Sequence, residues 1–145
     1  VVAIIGILAA VGVVAYSGYT SGAKKNVAKQ NHKLMVKQFT TLVVEYDING
    51  SINRIINGGA SKNFTQKNLA FDCPAFQHHF KEIKSPYADS AAKSKDQDNQ
   101  AWGGACCNYG KEGRTYILSK TGSYCTFSTY IDSNELVYDE VKWSD

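Results

Sequence analysis

Four cysteines are the residues of this 145-residue chain best equipped for chemistry: Cys73, Cys106, Cys107 and Cys125. Three chemistries are open to them. The first is disulfide bonding, which suits an even count in a small domain that follows an apolar start. Cys106 and Cys107 are adjacent, and a bond between neighbours is strained, so each is expected to bond elsewhere. Their partners are then Cys73 and Cys125 in either order, with Cys73–Cys106 and Cys107–Cys125 favoured. The second chemistry is a metal site shared with His78 and His79, but zinc sites favour a C-x-x-C spacing that the chain lacks. The third is a Cys–His nucleophile, which oxidised cysteines would disable.

Other constellations fall short on spacing. Asp96, Asp98 and Gln100 match the start of a calcium loop, yet Ala101 and Cys107 stand where its glycine and closing glutamate belong. Asn49-Gly50-Ser51 and Asn63-Phe64-Thr65 match glycosylation sequons and carry little weight alone. There is no phosphate-cradling glycine loop and no pair of carboxylates in catalytic context. The net charge of +3 is too small to imply nucleic acid. Nine tyrosines are expected to serve sheet faces and core. The chain is therefore expected not to be an enzyme and to need no metal or cofactor.

The elements that must position these residues begin with an uncharged run over residues 1–19. Val1, Val2, Ala3, Ile4, Ile5, Gly6, Ile7, Leu8, Ala9, Ala10, Val11, Gly12, Val13 and Val14 form its all-apolar part. A bilayer core about 30 Å thick needs roughly 20 apolar residues as helix. No polar face breaks the run before Tyr16 and Ser17, so it is expected to be buried all round, in lipid or among copies of itself. Val1 has no preceding Met or basic region, and no cleavage motif follows, so a retained anchor with a processed or omitted start is expected.

The helix is expected to continue to about residue 47 and to stop at Asn49-Gly50. Val27, Leu34, Met35, Phe39, Leu42, Val43 and Tyr46 recur at three-to-four spacing and should pack on the rest of the domain. Lys25, Lys29, Lys33 and Lys37 line another side at strict four-residue spacing. That stripe reads as a solvated face, as a docking face for acids of a neighbouring subunit, or as a contact for anionic lipid headgroups beside a membrane. Residues 49–113 read as irregular, with a short helix over 72–84 and an exposed polar loop over 90–100. Alternation over residues 114–119, 123–131 and 136–143 predicts three antiparallel strands, with turns at 120–122 and 132–134.

The expected fold class is thus α+β: a long N-terminal helix, apolar then amphipathic, packed on a small C-terminal antiparallel sheet with a disulfide-stapled head. Residues 1–23 form the anchor or filament-core half. Residues 24–145 form the head, divided into helix 24–48, irregular segment 49–113 and sheet 114–143.

The stretch VVAIIGILAA, residues 1–10, resembles the most recognisable block of the type IV pilin family, and the layout of the head is similar. Members of that family start several residues upstream, with a methylated phenylalanine and a nearby glutamate, and many have proline where this chain has Val14. The resemblance implies a structural subunit that polymerises through its N-terminal helix into a bacterial pilus used in adhesion, motility or uptake. Its implied partners are identical subunits, the inner membrane before assembly, and pilus assembly machinery, with DNA or surfaces as further candidates. Its implied location is an extracellular filament, or the inner membrane with a periplasmic head before assembly. The alternatives are a pseudopilin of a type II secretion system and a membrane-tethered binding module that does not polymerise.

Overall fold

A computed structural model of the chain describes residues 2–56, 59–73, 76, 79–80, 83–87, 102–103, 112–119 and 124–143. Val1, Pro74, His78, the 90–100 loop with Asp96, Asp98 and Gln100, Cys106, Cys107 and the 120–122 turn lie outside the described residues.

Helix α1 runs unbroken over Val2–Asn49. Gly6, Gly12 and Gly18 interrupt neither the helix nor its hydrogen bonding to any extent that ends it. It stops where the sequence predicts. Gly50 takes a left-handed φ of 66°, and its N–H closes on the Tyr46 carbonyl at 2.7 Å, capping the last turn. A 48-residue helix is about 72 Å long. Its buried residues are Ala28, His32, Met35, Phe39 and Val43, all in the second half.

That stripe differs from the expected one. Met35, Phe39 and Val43 are buried as predicted, but Val27 and Leu34 lie off the buried line and stay exposed. Ala28 and His32 replace them. The spacing 28, 32, 35, 39, 43 is itself a three-to-four repeat, so the docking face is turned one residue from the most hydrophobic choice.

Two sheets follow. Strands β1 (Ile52–Ile55) and β2 (Ser61–Phe64) form an antiparallel hairpin inside the segment expected to be irregular. One helical turn, α2 (Lys67–Ala70), comes next. It precedes the helix expected over 72–84, of which the described residues show no α-helix. The main sheet has the order β3 (Trp102–Gly103), β4 (Thr115–Ser119), β5 (Tyr124–Asp132), β6 (Glu135–Lys142). β4, β5 and β6 are antiparallel, and the two-residue β3 runs parallel to β4. The three antiparallel strands fall within a residue or two of their expected ranges. The expected turn at 132–134 is present, with the Asn134 N–H donating to Asp132 Oδ1 at 2.8 Å.

Helix α1 packs on β5 and β6, and an aromatic core fills the interface. Phe39 is its centre, fully buried. Its ring centroid lies 4.7 Å from Phe76, 5.3 Å from Phe127, 5.8 Å from Phe71 and 6.0 Å from Trp143. Phe76, Phe127 and Phe71 meet it edge-on, the favoured geometry for aromatic pairs.

The disulfide corrects the favoured pairing. Cys73 bonds Cys125, 52 residues away, with Cα atoms 5.6 Å apart. Both are fully buried at the aromatic core. Spacing alone pointed to Cys106 and Cys107 as partners, but the inward register of Cys125 on β5 places it against Cys73. Closing a loop of this length stabilises the fold by about 4 kcal/mol in the chain-entropy account.

Truncating Phe39 to Ala leaves a cavity under four aromatic partners. Phe39→Ala is expected to cost about 3–5 kcal/mol in chemical denaturation of the oxidised protein. A loss under about 1 kcal/mol would show that the helix is not seated by this ring.

Candidate functional site

The first half of α1 is the most unusual surface on the molecule. Val2, Ile4, Ile5, Ile7, Leu8, Val11, Val13 and Val14 are all at least three-fifths exposed. No residue from 2 to 19 is buried, and none is charged. Each such side chain gains about 1.5–3 kcal/mol on full burial, so the set forgoes on the order of 10–20 kcal/mol while in water. Such a surface requires a cover. By length and composition the helix is capable of crossing a membrane. Tyr16 and Tyr19 stand at the end of the run, where an interfacial belt would lie.

A row of polar contacts fixes where the free half begins. Lys25 Nζ pairs with Asp132 Oδ2 at 2.5 Å, and Lys29 Nζ with Glu135 Oε1 at 2.6 Å. One turn further, His32 is fully buried. Its Nε2 lies 2.7 Å from Asp139 Oδ2 and its Nδ1 2.7 Å from Thr129 Oγ1. A carboxylate only accepts, so Nε2 carries a hydrogen. Thr129 Oγ1 in turn lies 2.5 Å from Thr115 Oγ1. Asn31 Nδ2 donates to the Lys84 carbonyl at 2.9 Å, and Lys24 sits 5.8 Å from the Tyr87 ring centre. The spacing 25, 29, 32 puts all three side chains above the β5–β6 hairpin.

The Lys25 hydrogen bond, followed by that from the Asn134 N–H, holds the Asp132 carboxyl below its ordinary range, and the same Asp132 contact raises Lys25. The pair is therefore intact at neutral pH. Its contribution from Asp132 is present above pH 3.8 and fades as pH falls through the depressed value. Its contribution from Lys25 is present below pH 10.5 and fades as pH rises beyond it.

Asp139, His32 and Thr129 have the connectivity of an orienter, a base and a nucleophile. Thr129 is fully buried and engaged with both His32 and Thr115, so no substrate reaches its hydroxyl. The chain of contacts acts as a clamp between helix and sheet.

A second polar feature lies at the other end of the head. Arg54 is almost wholly buried. Its guanidinium sits 4.5 Å from the Phe64 ring centre and 5.2 Å from that of Phe76, and donates to the Leu69 carbonyl at 3.2 Å. Burial lowers its pKa. Nearby, His79 Nδ1 accepts from the Ile55 N–H at 3.4 Å. Burial first, and the Arg54 cation second, lower the His79 pKa, so its neutral ring is favoured. His79 forms one wall of a groove of about 350 Å³, whose other walls are Leu34, Lys37, Gln38, Thr41 and Leu42 of α1.

The predicted lysine stripe divides in two. Lys25 and Lys29 are engaged by acids of their own head. Lys33 and Lys37 make no ion pair among the described residues. Sequence reasoning missed His32. Its signal was its place in the three-to-four repeat of Ala28, Met35, Phe39 and Val43. The structure also brings Cys73 and Cys125 together; Cys106 and Cys107 lie outside the described residues. Among the described residues no group of three His, Cys, Asp or Glu side chains converges as a metal site. Comparison with protein-family models, with curated proteins and with solved structures finds no match to the chain.

The depressed His79 pKa has a pH consequence. The unfolded chain binds this proton near pH 6.5 and the folded head resists it, so stability is full above pH 6.5 and falls as pH drops towards the folded value. The folding free energy, followed by urea titration from pH 7.5 to 5, is expected to decline. His79→Gln, which keeps an acceptor for Ile55, should flatten that slope. An unchanged slope in the variant would assign it to other groups.

Proposed function

We propose that this chain is a structural subunit that polymerises through its N-terminal helix into a bacterial pilus of the type IV pilin kind. One observation carries the reading. A single continuous helix is uncharged, mostly apolar and exposed over residues 2–19, yet ionically and aromatically fastened to a folded head from residue 25 onward. The resemblance of VVAIIGILAA to the N-terminal block of type IV pilins supports the same reading.

The mechanism follows from where the apolar surface is satisfied. Before assembly, lipid covers the helix half, and the intact backbone hydrogen bonding of α1 meets the bilayer's demand that no polar backbone group be left open. After assembly, the same half packs against copies of itself. Gly6, Ala9, Ala10 and Gly12 allow close approach of neighbouring helices. A contact repeated head-to-tail without closing a ring makes a helical filament. The head is then displayed outward, where adhesion, motility or uptake would act. The inner membrane, with the head in the periplasm, is the reservoir, and separate assembly proteins move subunits from it. The buried Cys73–Cys125 bond suits such an oxidising location. The reading assigns the chain no catalysis and no cofactor.

Negative-stain microscopy of material sheared from cells expressing the chain should show long, thin fibres, with this chain as the main component by mass spectrometry. Retention of the whole population in the membrane fraction as single copies would contradict the proposal and favour a tethered, non-polymerising module.

A further inference from the structure

The face of the main sheet turned away from α1 carries a pattern of its own. Cys125, Phe127, Thr129 and Ile131 of β5 are buried on the helix side, where Phe127 meets Phe39 and Thr129 meets His32. The alternate residues of β5 and β6 face the other way. On β6 these are Leu136, Tyr138, Glu140 and Lys142, all exposed, with Leu136 at 52% and Tyr138 at 53%. Among the described residues β6 is the last strand of the sheet, so the row lies along its rim. Across the strand pair, Tyr130 stands opposite Leu136 and Ser128 opposite Tyr138, both partly exposed. Tyr130 meets Tyr116 edge-on, with ring centres 5.8 Å apart. Ser128 is small and raises no wall against the Tyr138 ring. The polar end of the row is ordered as well. Tyr138 Oη donates to Glu140 Oε2 at 3.4 Å, and Lys142 Nζ pairs with Glu140 Oε1 at 3.3 Å. A carboxylate has about four acceptor positions, so this one is oriented and still has capacity for further donors.

We infer that this face is a carbohydrate-binding platform, on which the Tyr138 ring stacks against a neutral sugar ring while Glu140, Ser128 and Lys142 take its hydroxyls. The face of an aromatic ring carries partial negative charge, and one face of a pyranose presents C–H groups of partial positive charge to it. Glu140 accepts from hydroxyls, Ser128 Oγ donates or accepts, and Lys142 Nζ donates. An aromatic wall beside an oriented carboxylate therefore offers a sugar both of its modes of contact at once.

Charge and size select this occupant over the others that exposed rings attract. A nucleic acid also stacks on aromatic faces, but it needs basic residues to neutralise its phosphates. Residues 124–142 hold four acids, Asp132, Glu135, Asp139 and Glu140, against one base, Lys142. A polyanion is repelled there and a neutral ligand is not. A folded protein partner needs more surface. Leu136, Tyr138 and Tyr130 together expose on the order of 250 Å², well short of the roughly 800 Å² that each partner buries in a stable pair. Leu136 and Tyr138 lie about 7 Å apart along the strand, which suits one or two sugar rings. The platform is shallow, so one copy binds weakly, and display of many copies together raises the avidity. The inference goes beyond the proposed polymerisation and does not depend on it.

The test applies the full chain, held in dodecylphosphocholine, which has no sugar headgroup, to immobilised neutral, sialylated and sulfated oligosaccharides and to single-stranded DNA. Retention on neutral oligosaccharides is expected, and it should persist at high salt. Tyr138→Ala is expected to lower that retention by roughly tenfold or more, as truncation of a central aromatic contact does. Tyr138→Phe keeps the ring face and should stay within about threefold of the parent chain. Glu140→Gln should weaken retention while the melting temperature is unchanged, since both side chains are exposed. Equal retention of Tyr138→Ala would overturn the inference. So would retention only of sulfated or sialylated chains or of DNA, and so would no retention of any oligosaccharide. Fibre yield is scored on the same variants. Loss of fibres in Tyr138→Ala, with no sugar held by the parent chain, would assign the face to another copy instead.

Discussion

The seating of Phe39 between α1 and the sheet is the constraint on which the rest of the molecule depends. Its ring is ringed by Phe71, Phe76, Phe127 and Trp143, contributed by the loop after α2, by β5 and by the chain after β6. Once that ring is placed, the helix has no freedom to roll. Rotation by one residue would lift Met35 and Val43 off the core and bury Leu34 and Leu42 instead. The choice costs exposed hydrophobic surface at Val27 and Leu34. It brings His32 over Thr129 and Asp139, and Lys25 and Lys29 over Asp132 and Glu135.

The polar row and the aromatic core do different jobs. The aromatic core supplies burial, which is non-directional and sums over area. The His32 contacts supply direction, because a buried ring nitrogen without a partner is expensive and tolerates little sliding. A slip of the helix by one turn would bring Ala28 or Val36 opposite Thr129 and strand its hydroxyl. The Lys25 and Lys29 pairs lie at the surface and add little energy, but they mark the last turn that the head holds. Ahead of this row the helix leaves the head, and residues 2–19 are left exposed by every described residue of the head. The proposed function builds on that division: it assigns the surface that the head leaves exposed to lipid or to another copy.

Much of this was legible in the sequence, for reasons of periodicity. The uncharged run, the three-to-four spacing and the Asn49-Gly50 stop specify α1 nearly to the residue. Two-residue alternation in Thr-, Tyr- and Ile-rich runs specifies β4, β5 and β6. The β1–β2 hairpin was hidden because Asn53, Arg54, Ser61, Lys62 and Asn63 make its strands polar. Arg54 is a charged residue buried by stacking on Phe64 and Phe76, a tertiary effect that no local pattern carries. His32 escaped because a histidine on an apolar stripe reads as an interruption until its partners on β5 and β6 are known. The disulfide pairing escaped for the same reason: it depends on the face of β5 that Cys125 occupies, not on cysteine spacing.

The central claim is that α1 is two elements joined end to end, one owned by the head and one free for intermolecular burial. A chain beginning at Lys25 tests it most directly, because it keeps every clamp residue and removes only the exposed half. Sedimentation and circular dichroism in detergent-free, non-reducing buffer should find a soluble monomer with a cooperative thermal transition. A truncated head that unfolds, or that still associates into fibres, would contradict the division of the helix.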